Sequence, residues 1–209
     1  MKLYLVRHAQ SLRNARIASD IDANLTEIGQ EQAKRLGSYI KDIKFHKIYC
    51  SPLKRTRKTL EKIQPFVEKT PMAFSKKMIE FNMGIFGKGG IDDWSSFFKA
   101  AENEGVPSHL FKPKNGESLQ GCYHRAGKFY RELLKKHPKQ NILLVGHGLF
   151  FLHLILNSLN LSVTEGKYYT LSNASISILE TSPKGKVTHF TFNDLSHLIK
   201  EGIKLKEGR

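Results

Sequence analysis

Short apolar runs alternate along this chain with longer stretches of helical periodicity. The runs at 3–6, Lys47–Cys50 and 142–145 read as strands, and the last is the cleanest of the three. Residues 24–40 carry a helical pattern with Thr26 near its start and Gly37 near its end. Ser51-Pro52 predicts an N-cap followed by proline at the first helical position, opening a helix through about Ile63. A short strand is expected within 71–79, a helix from Glu117 to about Lys136, and another from about Leu149 to Leu159. Two late strands, 175–179 and 187–192, flank a Pro-Lys-Gly turn. Strands alternating with helices predict an α/β fold, three layers deep, with a mostly parallel central sheet and helices on both faces.

The pattern loosens between residues 81 and 115, where Gly84, Gly87, Gly89 and Gly90 precede an aromatic stretch around Trp94, Phe97 and Phe98. That segment reads as a lid or insertion within one domain spanning 1–209. No repeat or low-complexity linker divides the chain, and its tail from about residue 195 is basic and amphipathic.

Composition changes this picture mainly through charge. The 209 residues hold 34 Lys and Arg against 19 Asp and Glu, a net charge of +15. Residues 34–77 alone carry thirteen basic and three acidic side chains. Such a field attracts small phosphorylated substrates, nucleic acid or acidic membranes, and it is equally the field of a solvated basic face. Nucleic acid is the weaker partner class, because no basic run is interleaved with aromatics that would stack bases. The apolar run at 149–156 is interrupted by His153 and too short to cross a bilayer, and the N-terminal run is too short for a signal peptide. Cys50 and Cys122 have no metal or disulfide spacing, so a reducing, cytoplasmic location is expected.

In an open α/β sheet, ligands bind beyond the carboxyl ends of the strands. Arg7 and His8 follow the first strand; Ser51, Pro52 and, one turn on, Arg55 follow the second; Gly146-His147-Gly148 follows the run at 142–145. Each has an ordinary reading: a polar turn, a tight glycine turn, a lysine-rich helix face. Together, on parallel strands, they collect two histidines and two arginines at one edge. Arginine forks suit phosphoryl oxygens, neutral imidazole can accept a phosphoryl group, and Gly148 lets backbone approach an anion. No metal-ligand spacing is present, so neither a metal nor another cofactor is expected.

LYLVRHAQSLRNA at the N-terminus resembles the signature of the histidine phosphatase superfamily, the phosphoglycerate mutase-like proteins. The resemblance continues through LTEIGQEQA, SPLKRTRKTL, IEFNMGIFGKG, NGESLQGCYHR, LLVGHG and LSNASISIL, in family order as far as about Asn193. It implies that fold, with His8 as the phosphate acceptor and a backbone contact orienting its other ring nitrogen. It further implies Arg7, Arg55 and His147 around the phosphoryl oxygens, Glu80 as general acid and base, and Asn14 framing the pocket. A carboxyl group beside a phosphate dianion is a sensible proton donor, although a loop carboxylate alone would read as surface. Two positions depart from the family pattern: Ala9 stands where glycine is usual, and Gln10 where glutamate is common.

Members of such a family divide between phosphatases and bisphosphoglycerate-primed mutases. The mutases tend to be longer and to carry paired arginines in the lid to grip a carboxylate, whereas residues 91–115 contain no arginine. The expected activity is therefore phosphomonoester hydrolysis, with the mutase as the alternative and a non-catalytic phosphate or nucleic-acid binder as the rival from another class. Arg13, Arg16 and Lys88 are candidates for a second anionic group, and Gln10 for a hydrogen bond near the pocket. The lid aromatics fit hydrophobic core better than a substrate platform.

Overall fold

The computed structural model describes residues 1–20, 22–90 and 93–199. Its six-stranded sheet runs β3-β2-β4-β1-β5-β6, from β1 (Lys2–Arg7), β2 (Lys47–Cys50), β3 (Met72–Phe74), β4 (Asn141–Gly146), β5 (Ile176–Thr181) and β6 (Val187–Asp194). The first four strands are mutually parallel, while β5 runs antiparallel to β1 and pairs antiparallel with β6. The α/β architecture and the mostly parallel sheet therefore hold.

Side-chain alternation explains why the central strands are apolar throughout. Leu3 and Leu5 of β1, with Ile142 and Leu144 of β4, enter one core beside α4 (Leu119–Lys136) and α5 (Gly148–Ser158). Tyr4 and Val6, with Leu143 and Val145, enter the other beside α1 (Glu27–Ile40) and α2 (Lys54–Ile63). A strand covered on both faces has no position left for a polar residue until it leaves the sheet. The abrupt switch from Val6 to Arg7 and His8 is that exit.

Several boundaries shift for identifiable reasons. The first helix starts later than its pattern predicts, because Thr26 is its N-cap and its hydroxyl accepts from Gly29 N at 2.9 Å. Gly37 lies inside that helix; a Cβ there would meet the Phe66 ring at 2.4 Å, so close packing, and not termination, requires glycine. Ser51 does not cap α2, which begins at Lys54 after Leu53 and has no side-chain cap there. The Asp22 carboxylate accepts from Lys54 N instead, a cap delivered from a distant loop. The helix expected from Glu117 begins after Ser118, whose hydroxyl accepts from Gly121 N at 3.0 Å.

Residues 81–115 hold a 3₁₀ stretch, Gly84–Gly90, and the helix α3 (Trp94–Asn103), capped by Asp93 accepting from Ser96 N at 2.8 Å. The expected aromatic core exists in part. Phe97 and Phe111 are buried, whereas Phe98 is 47% exposed. Of the tail, α6 (Ser196–Ile199) buries Leu198 against Ala9, Leu25, Ala33 and Ala174; the remainder lies outside the described residues.

Candidate active site

The register of the sheet brings the three strand ends level. Arg7 pairs with Gly146, Val6 and Cys50 both pair with Val145, His8 N donates to Gly146 O at 2.9 Å, and Ser51 N donates to Val145 O at 3.0 Å. His8, Ser51 and His147 thus leave the sheet side by side, and all three are buried.

His8 is held through both ring nitrogens. Nδ1 lies 2.8 Å from Ala9 O, and Nε2 accepts from Arg55 Nε at 3.1 Å. A carbonyl can only accept, so Nδ1 carries the proton and Nε2 presents a lone pair. Burial first, then the charges of Arg55 and Arg7, hold the His8 pKa well below its ordinary value, which keeps the imidazole neutral. His147 is depressed in the same direction by burial, Arg55, His8 and Arg7. Its Nε2 lies 2.8 Å from Ser51 Oγ, its ring centroid is 5.3 Å from that of His8, and its Nδ1 has no partner among the described residues.

The basic groups around His8 are built in from several elements. Arg55 lies in the first turn of α2 and is 6% exposed. Thr59, one turn on, accepts from Ala9 N at 3.0 Å and donates to Arg55 O at 2.8 Å, joining the loop after β1 to the arginine's helix. Arg7 donates through Nη1 to Leu171 O. A Cβ on Gly148 would lie 3.2 Å from Arg7 Nε, a tight contact that glycine avoids where the start of α5 approaches that guanidinium.

Glu80 meets the same helix start. Its Oε1 accepts from Phe81 N at 2.9 Å and Phe150 N at 3.1 Å, and its Oε2 accepts from Leu149 N at 3.3 Å. The carboxyl group thereby satisfies N–H groups that His147, the N-cap, leaves without a side-chain bond. Arg125 of α4 supports this loop by donating from Nη1 to the carbonyls of Lys77 and Ile79 at 2.8 and 2.9 Å. Its Nη2 reaches Glu117 Oε1 at 2.6 Å, and its guanidinium sits 5.0 Å over the Phe150 ring.

The outer candidates separate from this cluster. Asn14 Oδ1 accepts from Ser11 Oγ at 2.8 Å and from Asn173 Nδ2 at 3.3 Å, and Asn173 also donates to His8 O at 3.0 Å. Asn14 therefore braces the loop that carries His8. Gln10 faces α1: its N donates to Gln32 Oε1 at 3.0 Å, and its Oε1 accepts from Thr26 Oγ1 at 2.8 Å. Arg13 Nη2 donates to Gly87 O at 3.2 Å, tying the signature to the 3₁₀ stretch. The Lys88 side chain lies outside the described residues.

A cavity of about 540 Å³ opens beside Arg7, Glu80 and Gly148, with Phe81, Trp94 and Phe98 in its wall. Phe98 thus serves the cavity, Trp94 both packs on the core and lines the cavity, and Phe97 and Phe111 serve the core. Both cysteines are free and buried; burial pushes the Cys50 thiol up to about 12 and Cys122 well above its ordinary range, so neither is poised to react. Among the described residues no three His, Cys, Asp or Glu side chains cluster as ligands for a metal ion, and no helix is long and apolar enough to cross a membrane.

Thr59, Arg125 and Asn173 join the site without having been singled out in the sequence. Ser51 was named after the second strand but read as an N-cap, whereas its hydroxyl meets His147. Asn173 precedes the antiparallel strand β5, whose amino end lies at the same sheet edge, and a search of strand carboxyl ends passes over it.

Known proteins resemble this chain over nearly its whole length. Residues 3–194 match the family model described as the histidine phosphatase superfamily (branch 1). A probable phosphoglycerate mutase GpmB from Erwinia tasmaniensis is 30% identical over 213 residues, covering 95% of each chain. Phosphoserine phosphatase 1 of Hydrogenobacter thermophilus is 27% identical over 190 residues, 90% of each chain. Among solved structures, a phosphoserine phosphatase from Entamoeba histolytica in complex with phosphoserine superposes with a TM-score of 0.77 at 25% identity, covering 95% of this chain and 99% of that one. The chain belongs to the histidine phosphatase superfamily, branch 1.

Proposed function

We propose that this protein hydrolyses phosphomonoesters without a metal, through a phosphohistidine on His8. The observation that carries the reading is the fixed tautomer of His8: Nδ1 bound to Ala9 O, and Nε2 unprotonated, its lone pair accepting from Arg55 Nε until the phosphoryl oxygens take that donor over. In the first step that lone pair attacks phosphorus, and the bond to the leaving oxygen breaks. Arg7, Arg55 and His147 take up the charge of the phosphoryl oxygens. The departing oxygen receives a proton from Glu80. Oε1 is engaged by two N–H groups, so Oε2, with one bond of 3.3 Å, is the oxygen assigned to carry it. In the second step Glu80 takes a proton from water as water attacks the phosphohistidine. The P–N bond breaks, its electron pair returns to Nε2, and inorganic phosphate leaves.

The relatives named probable phosphoglycerate mutases favour a second reading, in which the phosphoryl group returns to a sugar acid after priming by bisphosphoglycerate. The absence of arginine from residues 91–115 favours hydrolysis, because a carboxylate grip of that kind has no guanidinium there. Phosphate release from a panel of phosphorylated metabolites, assayed with a chelator present, tests the choice. Release is expected to survive chelation and to fall at least ~10⁴-fold in His8→Ala. Transfer between positions of phosphoglycerate that outpaces release would establish the mutase. A protein inactive on every ester, with unchanged phosphate or nucleic-acid binding in His8→Ala, would be a binder.

A further inference from the structure

The 540 Å³ cavity extends well beyond what a phosphoryl group needs, and its outer walls have a definite chemistry. Phe81, Trp94 and Phe98 form a continuous stack, with ring centroids 5.8 Å apart at 10° and then 5.7 Å apart at 28°. Leu149, Leu152 and Val163 line the cavity with them. Phe98 is 47% exposed although its neighbour Phe97 is fully buried, so the helix turns one aromatic inward and leaves the other to the cavity. Arg7 and Lys167 are the only lysine or arginine side chains among the described residues lining this space, and Arg7 belongs to the phosphate end. Beyond the phosphate end, a leaving group bearing further anionic groups would meet Lys167 alone as a cation among the described lysine and arginine side chains, beside the polar Ser108, Thr164 and Thr170. A three-carbon leaving group would leave water against most of the apolar wall.

One polar side chain in that wall stands out. His153 of α5 lines the cavity and is 2% exposed; its Nδ1 is buried and has no partner among the described residues, so the imidazole must turn to offer that nitrogen to a ligand. Burial, then the charge of Arg125, lowers its pKa to about 4, so near neutral pH it meets a ligand as an uncharged hydrogen-bonding group.

Building on the phosphatase reading, we propose that the natural substrate is the phosphate ester of a planar, apolar alcohol carrying one neutral polar group. Its ring lies against Trp94 and Phe98, and its polar group is bound by His153. Recognition then comes from burial and one hydrogen bond, with Arg7, Arg55 and His147 reserved for the phosphate.

The test compares esters whose leaving alcohols are similarly basic, so that kcat/KM reports binding in the cavity. 2-Phenylethyl phosphate is expected to exceed glycerol 3-phosphate and phosphoserine by at least ~30-fold. Phe98→Ala is expected to narrow that ratio by about 5-fold or more. 2-(4-Hydroxyphenyl)ethyl phosphate should exceed the unsubstituted ester by about 5-fold, a preference lost in His153→Leu. Phosphoserine or glycerol 3-phosphate hydrolysed as well as the phenylethyl ester would overturn this substrate class and leave the phosphatase reading standing. So would a ratio unmoved by Phe98→Ala. Absence of phosphate release from every ester, in the parent protein as in His8→Ala, would overturn both.

Discussion

The two ends of the site are built on different principles. At the phosphate end His8, Arg55 and His147 are 3%, 6% and 0% exposed, and each side chain follows a central strand or opens the helix after it. At the cavity end the walls come from α3, α5 and the segments around Phe81 and Val163, and a large ring such as Phe98 stays half open to solvent. The sheet edge is common property of an α/β fold, while the segments over it are free to change. Under the proposed function, the first region carries the reaction and the second the choice of substrate.

Arg55→Lys probes the contrast most severely. Lysine keeps the charge but loses the Nε–H that faces His8 Nε2 and the planar fork that would span two phosphoryl oxygens. The expected loss in kcat/KM is about 10²–10³-fold, equal for small and bulky esters because the change lies wholly at the phosphate end. A loss confined to one leaving group would show that the two ends are not separable.

A pH series sharpens the comparison through His153. Its pKa is lowered to about 4 in the folded protein, against about 6.5 when unfolded. Below pH 6.5 the unfolded chain therefore binds more protons than the folded one, and stability falls with falling pH. The contribution of His153 is complete above pH 6.5 and lost progressively toward pH 4, on the order of 3 kcal/mol. Denaturant unfolding at pH 7 and pH 4 should show His153→Leu losing less stability than the parent protein by about that amount. Equal losses would mean that His153 is accessible to protons in the folded state.

Arg125 spans the two regions from outside both. It grips the carbonyls of Lys77 and Ile79, just before Glu80, and covers Phe150, whose N–H holds Glu80 Oε1. It is a positioning residue for the proposed proton carrier. Arg125→Lys can replace the charge but not both carbonyl bonds together with the Glu117 pair. A fall in kcat of about 10–30-fold is expected, with KM changed less than about threefold. A change in KM alone would place its influence at the cavity.

What could be read from sequence follows the same division. The exits from β1, β2 and β4 were visible because strands buried on both faces tolerate no polar residue before they end. The supporting contacts were not visible, since they join residues far apart in the chain. Arg125 acts 45 residues after Glu80, and Asp22 caps a helix starting at Lys54. Ser51 was misread because a serine before proline fits an N-cap locally, while its hydroxyl is taken by His147 across the sheet. In α3, composition announced an aromatic cluster. Only the docking of the helix decided that Phe97 enters the core and Phe98 the cavity.

The smallest expected effect concerns Ala9, which stands where the superfamily signature usually has glycine. Its backbone is not in the left-handed region, so no conformation at this position demands glycine. Its methyl packs in a small cluster with Leu25, Ala33, Ala174 and Leu198, which ties the nucleophile loop to α1 and α6. Its carbonyl orients His8 Nδ1, and its N–H is held by Thr59. Ala9→Gly removes a buried methyl and frees the backbone in the unfolded chain, a loss of about 1 kcal/mol in denaturant unfolding. Because the same residue aims the nucleophile, kcat should fall too, by about 2–3-fold, with the preference among leaving groups unaltered. A gain in activity on glycine would mean that the methyl obstructs the phosphate pocket. Altered preference would carry the influence of this position across to the cavity end, against the separation of the two regions.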